Sequence, residues 1–315
     1  MKVLVTGGAG FIGSNLCDSL VKENKVICID NFNDYYNPKI KEANIQSLLK
    51  NPNFKVYRTD ILNYSEMDSI FSKEKPEKVV HLAARTGVRP SVINPKIYED
   101  VNVGGTLIML ELARKYGIKK LVFSSSSSVY GANEKIPFSE EDETSRQINP
   151  YGKTKKTGEV LCRYYNLMHK MQIVCLRFFT VYGPRGRPDM AVHKFTRLIS
   201  DDKEIEVFGN GKSKRDYTYV EDIVKGIVSA LNKDLNFEII NLGDNNPVEL
   251  NHLIELIEKG LDKKAKIRHI PEQKGDMDVT FADIDKAKRL LGYKPKVKIE
   301  EGIRLFVDWF KRKDL

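Results

Sequence analysis

The sequence is poor in the residues that build metal centres and membrane spans. Its 315 residues include one tryptophan, five histidines and four cysteines. No apolar run approaches the roughly 20 residues that a membrane helix requires. Cys17, Cys28, Cys162 and Cys175 show no metal-ligand spacing, and three fall in apolar strand or helix patterns. They read as buried free thiols in a reducing compartment, with no metal site. A basic arm is also missing. The 52 lysines and arginines exceed the 43 acids to give +9, but the two signs are interspersed. That points to solvated surface with some attraction for small anions, not to nucleic acid. There is no internal repeat. A strand-like run begins at Lys2, leaving no room for a signal peptide, so a cytoplasmic protein is expected.

What is present is a regular alternation. The runs Lys2–Thr6, Lys25–Ile29, Phe54–Arg58, Lys78–Ala83, Lys120–Phe123 and Gln172–Phe179 predict strands. Helical patterns lie between them: Phe11 to about Glu23, Pro38–Lys50, one opening at Asn63 with Glu66 three residues on, one ending near Tyr116, and one after Asn149-Pro150. Such alternation implies an α/β fold of Rossmann type, a doubly wound parallel sheet covered on both faces. After Tyr182-Gly183-Pro184 the rhythm breaks. The predicted division is a dinucleotide-binding domain over 1–180 and a smaller α/β substrate domain over 181–315. The first domain is expected to reclaim part of 217–243, because Phe237–Leu242 reads as a buried strand.

Thr6-Gly7-Gly8-Ala9-Gly10-Phe11-Ile12-Gly13 separates the first strand from the first helix, and Asp30 ends the second strand. That is the setting of a dinucleotide fingerprint. Gly7 permits the tight turn, Gly10 lets the backbone approach a pyrophosphate, and Gly13 allows close packing of the helix. Asp30 can accept from an adenosine ribose and repels a 2′-phosphate, which favours NAD over NADP. Asp60-Ile61, after the third strand, are expected to flank the adenine.

The fifth strand runs into LVFSSSSSVYG at 121–131. Elsewhere a serine run marks a flexible linker. Here it follows a strand at the carboxyl edge of a parallel sheet, where ligands bind. Downstream, Tyr151 and Lys155 are four apart on a predicted helix and share a face, whereas Lys153 reads as surface. An unperturbed tyrosine is a poor base at neutral pH, and a neighbouring ammonium together with a positive nicotinamide would favour its phenolate. A serine hydroxyl opposite can hold the substrate oxygen.

These residues resemble the extended short-chain dehydrogenase/reductase family that modifies nucleotide sugars. The resemblance covers nearly the whole chain. It rests on TGGAGFIG at 6–13, DN at 30–31, HLAA at 81–84, the set Ser126, Tyr151 and Lys155, and RDYTYVEDI at 215–223. It implies NAD held throughout turnover, with Phe11, Ile12, Asn31, Leu82, Ala83 and Ala84 joining the residues above around it. Tyr151 is then the base, Ser126 binds the reacting hydroxyl, and Lys155 serves both ribose and phenolate.

Family members that dehydrate a sugar carry an Asp-Glu pair at the positions of Ser127-Ser128, and those that decarboxylate a glucuronate carry a glutamate at that of Ser128. Hydroxyls alone leave epimerisation through a transient 4-keto sugar. Thr180 with PRGRPDM at 184–190, and NFNDYYN at 31–37, look most like the UDP-glucuronate 4-epimerases. Thr180 and Arg187 would then sit near a C6 carboxylate, although Arg187 can also be read as a surface loop arginine. Arg85 and Arg89 fit diphosphate, carboxylate or solvent equally. By resemblance, Arg215 and Asp276 contact the diphosphate and uridine ribose, and Val207-Phe208 abut the uracil. Gln273 stands where several relatives carry arginine. His81 and His193 are expected to be structural. The partners implied are a UDP-hexuronate substrate and a second copy in a homodimer. The alternatives are a UDP-glucose 4-epimerase and a non-catalytic NAD- or nucleotide-sugar-binding regulator.

Overall fold

Each strand-like run of the first half forms a strand in the computed structural model, which describes residues 1–271 and 278–313. In chain order the elements are β1 (Lys2–Thr6), α1 (Phe11–Leu20), β2 (Lys25–Asp30), α2 (Pro38–Ile45), β3 (Phe54–Arg58), α3 (Tyr64–Glu74), β4 (Lys78–His81), α4 (Val88–Ile93), α5 (Pro95–Tyr98), α6 (Gly105–Lys115), β5 (Lys120–Ser126), α7 (Pro150–His169) and β6 (Gln172–Phe178). There follow β7 (Thr180–Tyr182), α8 (Ala191–Ser200), β8 (Glu204–Phe208), β9 (Lys214–Tyr219), α9 (Val220–Asn232), β10 (Phe237–Leu242), β11 (Pro247–Glu249), α10 (Leu250–Leu261), β12 (Lys266–Ile270), β13 (Val279–Thr280), α11 (Asp285–Leu291) and α12 (Ile299–Lys313). The main departure from the sequence pattern is β5, which runs three residues into the serines. The helix anticipated over Pro38–Lys50 stops at Ile45, and a short 3-10 turn covers Leu48–Lys50. Asn63 caps α3 by accepting from the Glu66 N–H, but Glu66 takes the Thr59 hydroxyl instead of completing the reciprocal box.

Seven parallel strands form the large sheet in the order β10-β6-β5-β4-β1-β2-β3. A strand's side chains alternate between faces, so one strand feeds two cores. Val3 and Val5 pack with Leu16 of α1 and Ile223 and Ile227 of α9. Leu4, between them, packs on the other face with Phe71 of α3, Leu110 of α6 and Cys162 of α7. β10 comes from the second half of the chain yet pairs with β6, Leu242 opposite Phe178. Ala287 and Leu291 of α11 return to the same core. A third core joins α8, α10 and α12 through Phe195, Ile254 and Phe306. A small sheet beside it sets β7 against β9, Thr180 opposite Tyr217. The four cysteines are buried and unbridged. No described helix is long and apolar enough to cross a membrane.

One buried ion pair ties the sheet to α7. Arg177 on β6 donates to both oxygens of Glu159 at 2.8 and 2.9 Å, and each side chain is only 1% exposed. The Ser125 hydroxyl of β5 donates to the same carboxylate at 2.7 Å. Burial pushes the Glu159 carboxyl up, but Arg177 overrides it and holds it below its usual range. Glu159→Ala leaves a buried guanidinium without its anion and should destabilise the fold by about 3–5 kcal/mol in urea unfolding. A loss under about 1 kcal/mol would mean that water reaches the pair.

Candidate functional site

The carboxyl ends of β1, β2, β4, β5 and β6 open into one cleft of about 380 Å³. The glycine loop forms its floor. Gly7 has φ +68°, the left-handed region, and a Cβ there would lie 2.9 Å from the Ala83 nitrogen. A Cβ on Gly13 would fall 2.1 Å from the Gly7 carbonyl oxygen, so this glycine lets α1 pack against its own loop rather than against the sheet. No side chain caps α1. Its first turn, Phe11 to Gly13, lines the cleft beside Gly10 and offers uncapped N–H groups to an anion.

Asp30 sits at the end of β2, accepting from the Ala9 and Phe32 N–H groups at 3.2 and 2.9 Å. Lys41 of α2, which sequence reasoning did not single out, reaches the same carboxylate at 3.3 Å. Asn31 donates to Asp60 at 2.6 Å. Ile61, Leu82, Ala83 and Ala84 complete this end of the cleft. A dinucleotide therefore finds a glycine cradle, a helix N-terminus and two carboxylates in one lining, and the residues present fit it.

The other end of the cleft, which holds the candidate catalytic residues, is built where β5 stops. Ser127–Tyr130 form a tight 3-10 turn, locked by the Ser128 N–H donating to the Ser126 hydroxyl at 3.2 Å. Ser126, at the end of β5, and Ser127 and Ser128 of the turn all line the cleft. Facing them is the start of α7, where Asn149 caps by accepting from the Gly152 N–H at 2.8 Å. Gly152 lies so close to the serine turn that a Cβ would come 2.4 Å from the Ser128 carbonyl oxygen. The Tyr151 N–H donates to Ser91 at 3.1 Å, and the Tyr98 ring stands edge-on to Tyr151 at 6.2 Å.

Burial pushes the Tyr151 phenol up, while a hydrogen bond with Ser126 and the charge of Arg187 work against it. Lys155 lies one turn along and donates to the Ser124 carbonyl at 2.7 Å. Burial pushes its ammonium down to about 7. Arg187 thus joins Lys155, the cation expected from helical spacing, as a positive group on the Tyr151 side of the cleft.

Thr180 opens β7 and lines the cleft with Arg187. Arg187 is no freely solvated loop residue: its side chain is 19% exposed and doubly bonded to Asp189. Arg85 lines the cleft as well, 5.9 Å over the Tyr35 ring. Arg89 lies outside that lining, stacked 4.6 Å over Phe208 of β8. Val207 is fully buried in the third core. It therefore has no face to offer a base, against the expectation from resemblance. Arg215 donates to the Lys214 and Asp278 carbonyls at 3.0 and 3.4 Å and is not part of the cleft lining. Asp276 and Gln273 lie outside the described residues.

His81 is buried between the hydroxyls of Thr6 and Thr106 at 2.7 and 3.2 Å, and burial lowers it to about 3. His193 bonds the Gly186 carbonyl and packs edge-on to Phe306. Both are structural. Tyr35, Tyr36 and Met190 line the cleft without having been singled out. Their signal lies in the motifs at 31–37 and 184–190, whose sequence does not show which side chains face the cleft.

Sheet order, glycine cradle and the Ser126–Tyr151–Lys155 arrangement define an extended short-chain dehydrogenase/reductase. Within that class the chain belongs to the GDP-mannose 4,6 dehydratase family, whose sequence pattern matches residues 4–306. It is 45% identical over 310 residues to a UDP-glucuronate 4-epimerase of Thermodesulfobacterium geofontis, covering 98% of this chain and 95% of that one. The crystal structure of UDP-glucuronic acid 4-epimerase from Bacillus cereus, in complex with UDP-glucuronic acid and NAD, superposes with a TM-score of 0.93. It is 38% identical, over 99% of this chain and 100% of that one. UDP-glucose 4-epimerase of Thermotoga maritima, solved with UDP-glucose, gives 0.92 at 35% identity, over 100% of both chains.

The dinucleotide end yields a binding prediction. Asp30 should disfavour a 2′-phosphate, with Lys41 tempering its charge, so calorimetry should find NAD bound more tightly than NADP. Asp30→Ala leaves the Lys41 ammonium alone and should shift the preference toward NADP by about tenfold or more, the scale of a charge-assisted hydrogen bond. An unchanged preference would remove Asp30 from the ribose.

Proposed function

We propose that the protein is an NAD-dependent 4-epimerase that converts UDP-glucuronate to UDP-galacturonate. The observation that carries this reading is the make-up of the reacting end. Ser126, Ser127, Ser128 and Thr180 supply hydroxyls there, Arg187 supplies a cation, and among the described residues the only acids in the lining are Asp30 and Asp60 at the dinucleotide end. A dehydration needs a further acid and base, and among the described residues no carboxyl group lines the cleft beside Tyr151 to serve. The epimerase relatives support the class. The Thermotoga maritima structure gives some support to UDP-glucose as substrate, but a neutral hexose leaves Arg187 without an anion.

NAD, when bound, supplies a reversible acceptor for the hydride at the sugar C4. The chain's own residues do the rest. Ser126 holds the C4 oxygen against Tyr151, and the Tyr151 phenolate takes its proton, returning it after the keto sugar has turned over in the pocket. Lys155, with an ammonium brought near 7 by burial, can share a proton with the ribose and phenol side of the site. Arg187 favours the phenolate and offers the C6 carboxylate a partner. The keto sugar is a β-keto acid. A carboxylate held by hydroxyls and one guanidinium keeps its charge stabilised, which opposes loss of carbon dioxide. Exposed Leu107 of α6 and Val160, Tyr164 and Leu167 of α7 suit a helix-paired homodimer, which sedimentation can test.

Supplied with UDP-glucuronate, the protein should form UDP-galacturonate, read by proton NMR, with no carbon dioxide and no net NADH. UDP-glucose should react roughly ten- to hundred-fold more slowly, the scale of a lost charge-assisted bond, and Arg187→Ala should narrow that gap. Faster turnover of UDP-glucose, or release of a UDP-pentose, overturns the reading. Tyr151→Phe should keep fold and NAD binding while lowering turnover by roughly two to four orders of magnitude. A loss of only a few-fold would assign the base elsewhere.

A further inference from the structure

Arg187 is held from two sides. Its Nε and one terminal nitrogen donate to the two oxygens of Asp189 at 3.0 and 2.8 Å. Its guanidinium carbon lies 5.8 Å from the centre of the Tyr35 ring. Tyr35 is itself pinned, its hydroxyl donating to the Thr86 carbonyl at 2.8 Å and its N–H to Asn33 at 3.2 Å. Burial pushes the Asp189 carboxyl up, but Arg187 prevails and holds it below its usual range, so the pair is ionised at neutral pH.

A guanidinium carries five donors in a fixed plane. Asp189 engages two along one edge, which leaves the end-on fork of both terminal nitrogens unclaimed by Asp189. That fork matches a carboxylate in the bidentate sense. We propose that Asp189 and Tyr35 are specificity-determining positioning residues, which set the direction of the Arg187 fork and so select a sugar that carries a C6 carboxylate. The proposal rests on the reading of the site as a uronate 4-epimerase.

The physical reason is preorganisation. An arginine on an unrestrained loop would lose rotamer freedom on meeting the substrate, and one already held by an anion and a ring has lost most of it beforehand. Asp189 would repel a second carboxylate on its own, but Arg187 lies between the two. A neutral hexose has no group for the fork, so its binding does not draw on the clamp. NFNDYYN and PRGRPDM thereby act together, since one supplies the ring and the other the arginine and its anion.

The test compares kcat/KM for UDP-glucuronate and UDP-glucose in the parent, Asp189→Ala, Asp189→Asn, Tyr35→Leu and Tyr35→Phe, with bound NAD as a check on folding. Asp189→Ala and Tyr35→Leu should each lower the acid-sugar preference by about tenfold, mainly through a higher KM for UDP-glucuronate, while UDP-glucose changes far less. Asp189→Asn keeps one acceptor and Tyr35→Phe keeps the ring, so both should fall between parent and the harsher variant. Equal losses on both sugars, or an unchanged ratio, overturn the clamp while leaving the uronate reading intact. A parent without preference for UDP-glucuronate overturns both.

Discussion

A guanidinium and a carboxylate buried together behind β5 set the geometry on which the site depends. Glu159 lies four residues beyond Lys155 and eight beyond Tyr151, so the three share one face of α7. The bidentate bond from Arg177 fixes the rotation of that helix against β6. The bond from Ser125 fixes β5 against the same carboxylate. Rotation of α7 or a slip of β5 would then move Tyr151 away from Ser126, and either would strand a buried charge. A half-satisfied network of this kind costs more than an apolar core, and the penalty is what makes the arrangement specific. The Arg177 guanidinium also lies 4.7 Å over the Tyr130 ring, and the Tyr130 hydroxyl donates to Asn241 of β10 at 2.7 Å. The clamp thus reaches the edge strand supplied by the second half of the chain.

Low polarisability around the reacting groups then decides their charge. Lys155 and Tyr151 are both driven toward their neutral forms by burial, one downward and the other upward. Such a pair is poised rather than fixed, since a single added charge in the cleft shifts both. Arg187 and a bound nicotinamide are the charges available to do so. His81, one strand away, is the contrast. It is enclosed by two threonine hydroxyls and driven down to about 3, which leaves it neutral and without access to the cleft chemistry.

The two halves of the chain meet at the cleft because β7 leaves the large sheet immediately after β6 and pairs with β9. Thr180 sits at that departure, and the loop that follows brings Arg187 to the same cleft as the serine turn. The end of the cleft proposed to take the sugar is therefore assembled from segments bordering two sheets. The dinucleotide end comes from strand ends of one sheet alone.

The sequence by itself determined the large sheet, the glycine cradle, Asp30 and the candidate catalytic set. The first three depend on local signals, period-two runs and glycines at a strand-to-helix turn; Tyr151 and Lys155 stand four apart on a helix, while Ser126 is picked out from its neighbours by family resemblance. The position of the five serines at a sheet edge was legible from the strand that leads into them, but not that three of them belong to that strand. Tertiary structure alone decided what depends on distant segments. It turned Val207 inward to the third core and set Arg89 on Phe208 rather than in the cleft. It joined Lys41 to Asp30, and carried the Arg187–Asp189 pair to Tyr35. No periodicity in the chain encodes which arginine meets which ring, because that contact depends on how two loops far apart in sequence are carried to one place by the sheets beneath them.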